Sequence, residues 1–252
     1  MISRRNFFLI GAAAGLGSCT NTDNVTTIKE SPTLRRRSIP DGMTILFQGD
    51  SITDGGRQKE RLSANDAGGM GGGYVNMLAA DLLKSYPGKG VKIYNRGISG
   101  HKVFQLADRW EEDCLELQPD VLSLMIGVND FWHTLTHDYK GTIDVYKNDL
   151  VALLDRTLKG NPDLKMIIGE PFAVKGGTAV TDFFDGSFDE YRFASKEVAK
   201  QFGAAFLPYH SIFDKAAAVG GAEHWCPDGV HPSLAGSALM ADAWMKAFES
   251  LW

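Results

Sequence analysis

Short, continuous apolar runs alternate along this chain with longer stretches in which apolar residues return every three or four positions. The runs at 43–49, 91–95, 121–126, 164–169 and 204–208 read as strands, because an unbroken apolar run bounded by turn residues suits a strand covered on both faces. Between them, Tyr74, Val75, Leu78, Leu82 and Tyr86 repeat at helical spacing until Pro87-Gly88 stops them. Val103, Leu106, Trp110, Cys114 and Leu117 form a second amphipathic series, expected as one helix. Helices are further expected at 145–158, 189–201 and 232–251. Strands alternating with helices predict βα units. The fold class is therefore α/β: over residues 41–252, a three-layer αβα sandwich around a five-stranded parallel sheet in the flavodoxin-like order 2-1-3-4-5. No repeat or internal boundary interrupts it.

The front of the chain follows different rules. Ser3-Arg4-Arg5-Asn6-Phe7-Phe8 is a twin-arginine pattern, and the apolar run after it is too short to span a hydrocarbon core of about 20 residues. Leu16-Gly17-Ser18-Cys19 resembles a lipobox, so residues 1–19 read either as a lipoprotein signal with a lipid anchor at Cys19 or as a plain export signal. Both place the protein outside the cytoplasm, in the periplasm or at the cell surface. Residues 20–40, rich in Thr, Asn and Ser and without periodicity, read as a flexible linker.

Composition changes this picture little. Of 252 residues, 44% are hydrophobic and 23% charged, with a net charge of −5, which argues against nucleic acid or an anionic membrane surface as a partner. Cys114 and Cys226 are open to two readings, a bridge or buried unpaired thiols. His133 and His137 have helical metal-pair spacing but no third ligand, and read as loop histidines. Gly49 to Gly56 lacks the lysine of a phosphate loop. No metal and no cofactor is expected.

Candidate chemistry gathers where strands end. The first run stops at Gly49-Asp50-Ser51, the second at Asn95-Arg96-Gly97-Ile98-Ser99-Gly100, and the third at Gly127-Val128-Asn129-Asp130. In a sheet of order 2-1-3 these ends are neighbours at the edge where open α/β folds bind ligands. Near the other terminus, Asp228-Gly229-Val230-His231-Pro232 can bring a carboxylate to an imidazole across one turn. Ser51, His231 and Asp228 then supply nucleophile, base and orienting acid. The amides of Ser51 and Gly97 and the side chain of Asn129 are candidate donors to an oxyanion. Singly, each has an ordinary structural explanation; together, in this order, they do not.

These four blocks resemble the SGNH or GDSL-type hydrolase superfamily, whose name lists serine, glycine, asparagine and histidine: here Ser51, Gly97, Asn129 and His231, with Asp228. The likeness covers residues 41–252. It is most similar to the acetylxylan esterase-like carbohydrate esterases through Asp54-Gly55-Gly56-Arg57, Gly72-Gly73-Tyr74-Val75, Arg109-Trp110-Glu111-Glu112-Asp113, Met125 to Trp132 and Val230 to Gly236. Cys226-Pro227 departs from it, since these esterases place an aromatic before the aspartate. The resemblance implies a serine esterase that removes acetyl groups from carbohydrate such as acetylated xylan through an acyl-enzyme. A lipase, thioesterase or lysophospholipase, and a glycan-binding lipoprotein without activity, are the alternatives. Asp50, Arg57, Trp132 and Trp225 are the candidate substrate contacts; Phe131 is split between core and site, and a homo-oligomer is left open.

Overall fold

The computed structural model describes residues 37–180, 184 and 186–252. Five strands, β1 (Thr44–Gly49), β2 (Lys92–Asn95), β3 (Val121–Met125), β4 (Lys165–Gly169) and β5 (Ala205–Leu207), pair in parallel in the order β2-β1-β3-β4-β5. The register sets Phe47 beside Asn95 on one side and Ser123 on the other. Every residue of β1 and β3 is buried, as expected of central strands covered on both faces.

Alternation along β1 assigns the two helical layers. Phe47 faces α3 (Tyr74–Ser85) and α10 (Leu234–Ser250), its ring lying 6.0 Å from Tyr74 and 5.1 Å from Trp244. The indole of Trp244 donates to Ser123 Oγ at 2.9 Å, so the largest side chain of that layer leaves no unsatisfied N–H. Gln48, the next residue, points the other way and donates to Asp113 O. On that second face, α6 (Ile143–Gly160) packs against α4 (Val103–Asp108) and α7 (Ser187–Gln201). Fully buried Trp110 donates there to Thr157 Oγ1 at 2.9 Å.

The structure departs from the sequence expectation in several places. The series from Val103 to Leu117 is not one helix: α4 ends at Asp108 and a π-helical turn, Glu111–Leu115, follows, closed by Glu116 N–H donating to Glu111 O. The wider turn keeps Trp110 and Cys114 both inside while sending Asp113 towards Arg96 and Arg109. Helix α5 (Val128–Thr136) starts directly behind β3. Gly127-Val128-Asn129-Asp130 carries helix-breaking and capping residue types that hide its start, and His133, read as a loop histidine, lies on this helix, as does Trp132. Four more helices escaped notice: α1 (Ser51–Asp54), α2 (Ala67–Met70), α8 (Tyr209–Gly220) and α9 (Ala222–Trp225). All but α8 are single turns, too short to show a period.

Cys114 and Cys226 are free and buried, which excludes the bridge between them. The signal reading of residues 1–19, with Cys19, and the linker reading as far as residue 36 lie outside the described residues. Within 37–40, Ile39 is buried in the core, so ordered packing begins inside the segment read as linker. Among the described residues no helix is long and apolar enough to cross a membrane.

Candidate active site

Ser51 is the first residue of α1, at the carboxyl end of β1. The preceding residue builds that position: Asp50 Oδ1 accepts the Ile52 amide at 3.0 Å and caps the turn. A side chain at Gly49 would collide with Met125 O, so glycine lets β1 and β3 close up directly below the serine. The turn ends at Gly55, left-handed with φ 55°, whose amide returns to Ser51 O.

His231 and Asp228 reach the same edge on a loop fixed by its backbone. Val174 N–H donates to Gly229 O at 2.7 Å and Ala179 N–H to Asp228 O at 2.9 Å. Gly229 holds φ 88° against Val174 and Val180, a conformation few other residues adopt. Beyond His231, Ser233 caps α10 by accepting the Gly236 amide. The loop's own aspartate does the remaining work, with Asp228 Oδ1 accepting the amides of Val230 (2.8 Å) and His231 (2.7 Å).

The three side chains meet in one line. Ser51 Oγ lies 2.8 Å from His231 Nε2, and His231 Nδ1 lies 2.6 Å from Asp228 Oδ2. An ionised carboxylate can only accept, so the Nδ1 proton faces Asp228 and Nε2 is left to accept from the serine. Burial pushes the Asp228 carboxyl up, but the His231 amide, the His231 ring and the Val230 amide together hold it below its ordinary value. It therefore stays charged opposite the ring.

A cleft of about 520 Å³ opens beside Ser51 and His231. One wall is Pro232, Ser233 and Leu234; the other carries Lys59 and the paired glycines Gly55-Gly56 and Gly72-Gly73. Asp54, in the cleft floor, is buried and accepts from the amides of Arg57 and Ser99 and from Lys59 Nζ. One carboxylate thus ties α1 to the loop after β2. Among the described residues no group of three or more His, Cys, Asp or Glu side chains could hold a metal ion.

Residues 47–239 match the GDSL-like lipase/acylhydrolase family. The chain is 32% identical over 216 residues to an acetylxylan esterase of Geobacillus stearothermophilus, covering 85% of this chain and 97% of that one. This chain belongs to the GDSL-like lipase/acylhydrolase family. As such it is a carboxylic ester hydrolase. A crystal structure of a GDSL-like lipase from Parabacteroides merdae, described as putative, superimposes with a TM-score of 0.81 at 47% identity, covering 84% of this chain and 98% of that one. The crystal structure of Axe2, an acetylxylan esterase from Geobacillus stearothermophilus, superimposes with a TM-score of 0.73 at 31% identity over 83% of this chain and 95% of its own. Catalytic mutants of Axe2 alter one serine, one aspartate and one histidine, and its aspartate precedes its histidine by three positions.

In this acylhydrolase the other expected site residues are placed unevenly. Asn129, in the first turn of α5, donates through Nδ2 to His101 O at 3.3 Å, which leaves the second amide hydrogen. The Gly97 amide is already engaged, donating to Asn95 Oδ1 at 2.9 Å. Glycine is needed at 97 for another reason, since any side chain there would run into the backbone of Thr53 and Asp54.

None of the four expected substrate contacts lines the cleft. Asp50 is 1% exposed and serves as the cap beneath Ser51; burial pushes its carboxyl up to about 7. Arg57 is 4% exposed and donates from Nε to Gly97 O at 2.8 Å, so its charge braces the loop after β2 from inside. Trp132 is half-buried and meets Phe184 edge-on. Trp225 is half-buried too, and its carbonyl accepts the Ser233 amide at the entrance to α10. Phe131 belongs to the core, clustered with Phe184, Phe188 and Tyr191. The cleft residues that went unnoticed, Lys59, Ser99 and Leu234, carry no local signal. Asp54, three residues past the serine and next to a glycine pair, stands in the sequence only within the stretch that carries the esterase resemblance, with no role assigned.

Proposed function

We propose that this esterase removes acetyl groups from acetylated xylan or xylo-oligosaccharides by two-step acyl transfer on Ser51. The observation that carries the proposal is the continuous Ser51–His231–Asp228 line, drawn from residues 180 positions apart. His231 takes the Ser51 proton as Oγ attacks the ester carbonyl, then passes it to the departing sugar hydroxyl. Water, activated by the same ring, releases acetate from the acyl-enzyme. Asp228 keeps the ring in the accepting tautomer and stabilises the imidazolium. The Ser51 amide and the free hydrogen of Asn129 Nδ2 are the donors offered to the oxyanion; Gly97 would join only by releasing Asn95.

The sugar-acetyl assignment draws on the Geobacillus relative, whose catalytic mutants alter the same three residue types with the same aspartate–histidine spacing. The hydroxyls of Ser99, Ser233 and Ser237 and the Lys59 ammonium in the cleft lining suit the hydroxyls of a sugar ester. The twin-arginine pattern at the front supports action outside the cytoplasm, where polymer is met. Acetate release from acetylated xylan, with Ser51→Ala as the control, tests the proposal. Wild-type protein that hydrolyses nitrophenyl acetate yet frees no acetate from xylan or its oligosaccharides would sink the sugar assignment. A steep fall in rate beyond acetate in a nitrophenyl ester series would exclude the lipase reading.

A further inference from the structure

His133, on α5, and Lys102, the residue before α4, form a pair of polar side chains that the proposed mechanism does not use. We infer that His133 is a substrate-contacting residue, held by Lys102 as its Nε2–H tautomer so that it donates to an oxygen of the sugar ester. That the ligand is a sugar rests on the function proposed above; the tautomer does not.

Lys102 Nζ lies 3.0 Å from His133 Nδ1. An ammonium group has donors and no acceptor, so Nδ1 must accept and the ring proton must sit on Nε2. Lys102 is 8% exposed, with Nζ 5.2 Å from the ring centre of Tyr139 and 5.6 Å from that of Phe104, which hold the cation in place. Among the described residues no carboxylate comes within ion-pair distance of it, the nearby acidic group being buried Asp130, and its side-chain hydrogen-bond partner is the imidazole. Burial, then the charges of Lys102 and His137, push His133 down to about 4, and the ring stays neutral in ordinary buffers. Its Nε2–H meets no protein acceptor among the described residues.

The placement suits a substrate contact. His133 follows Asn129 by one turn of α5, and residues four apart share a helix face. Its Cε1 stands 3.8 Å from where a side chain at Gly100 would begin, and Gly100 follows Ser99, a cleft residue. A fixed neutral donor is thus set on the same helix face as the oxyanion candidate and beside the loop that carries Ser99, just outside the lining of the cleft itself. Such a donor discriminates by hydrogen bonding, and it disfavours esters that offer no oxygen there.

Three variants and two substrates test this. His133→Leu removes the donor, whereas His133→Gln restores an N–H close to the Nε2 position. Relative to nitrophenyl acetate, His133→Leu is expected to lower kcat/KM on acetylated xylo-oligosaccharides by about tenfold, mostly through KM, with His133→Gln recovering most of it. ¹⁵N shifts of the His133 ring should report the Nε2–H tautomer in the wild type and a mixture in Lys102→Met. An Nδ1–H ring in the wild type, or an unchanged substrate ratio in His133→Leu while the wild type works on the oligosaccharide, overturns the inference. A wild type inert on the oligosaccharide overturns the function reading instead and removes the sugar as ligand. The ring shifts then decide whether the Lys102–His133 pair exists.

Discussion

Gly97→Ala isolates what glycine does in the loop after β2. Gly97 is not among the glycines with positive φ, so alanine meets no torsional objection. The conflict is one of space: the new Cβ would lie 2.7 Å from the Thr53 carbonyl carbon and closer still to the Asp54 amide nitrogen. Ordinary contact begins near 3.4 Å, so the loop and α1 must separate by close to an ångström. Both atoms belong to the single helical turn that carries Ser51, and backbone cannot rotate away as a side-chain tip can. A displacement of about 1 Å in a reacting group costs on the order of 10²-fold in rate. Overpacking costs roughly 1–3 kcal/mol of stability, a fall of about 2–4 °C in Tm for each kcal/mol in a domain of this size. The expected result is therefore kcat down about a hundredfold on nitrophenyl acetate with KM changed far less, and a measurably lower Tm. Wild-type kcat together with an unshifted Tm would refute the steric reasoning.

Three other substitutions probe separate parts of the site. Asp228→Asn keeps an oxygen for the Val230 and His231 amides but turns an N–H towards His231 Nδ1, forcing the tautomer that cannot accept from Ser51. A loss of roughly 10³–10⁴ in kcat is expected from steady-state rates, and near-normal turnover would contradict the relay. Asn129→Ala should lower turnover by about 10²–10³ with little change in KM; unchanged turnover would remove it as an oxyanion donor. Asp130 is buried, accepts the Val103 amide through Oδ1, and has no partner at Oδ2. Burial pushes this carboxyl from 3.8 up to about 7, so the folded protein holds the proton more tightly than the unfolded chain. Its contribution to stability is then fully present below pH 4 and is lost as pH rises through 7. Asp130→Asn, with no proton to lose, should gain on the wild type by a few kcal/mol between pH 4 and pH 8 in urea melts; a constant difference across that range would exclude the shift.

The parts of the molecule that could be read from the sequence share one property: their defining interactions are local or strongly periodic. β1 and β3 announce themselves as unbroken apolar runs, and the parallel pairing of the strands follows from the βα alternation. Asp228 and His231 are three residues apart, so the carboxylate–imidazole contact and its two backbone caps are encoded within one turn of chain. Ser51 is marked by the strand ending at Gly49. The single-turn helices and the start of α5 lack that property, although the longer α8 does not. Single turns such as α1 and α9 have no period, and α5 begins with Val128-Asn129-Asp130 behind a glycine, residue types that equally favour a turn.

Side-chain direction was the information most clearly missing. Asp50 and Ser51 are adjacent, yet one is sealed under the turn as its cap and the other opens onto the cleft; no pattern in the sequence separates them. Arg57 illustrates the same ambiguity with charge. A guanidinium in a glycine-rich loop near a nucleophile invites a substrate role, but the loop folds so that it donates inward to Gly97 O. Conversely, the wall opposite His231 is made largely of Gly55-Gly56 and Gly72-Gly73, where absence of side chains is what lets the two loops meet. Gly55 would collide with the Gly73 backbone if it bore a Cβ. Such a surface offers no contacting side chain, and in the sequence its glycine pairs stand out only through the resemblance to the carbohydrate esterases. That is why the tryptophans drew the eye while Lys59, Ser99 and Leu234, brought to the cleft by backbone contacts between distant loops, did not. It also follows that specificity here should respond more to substitutions that add bulk at Gly72 or trim Leu234 than to the loss of either Trp132 or Trp225. Paired kcat/KM values on acetylated xylo-oligosaccharide and nitrophenyl acetate measure that, and a larger ratio change in the tryptophan variants would refute it.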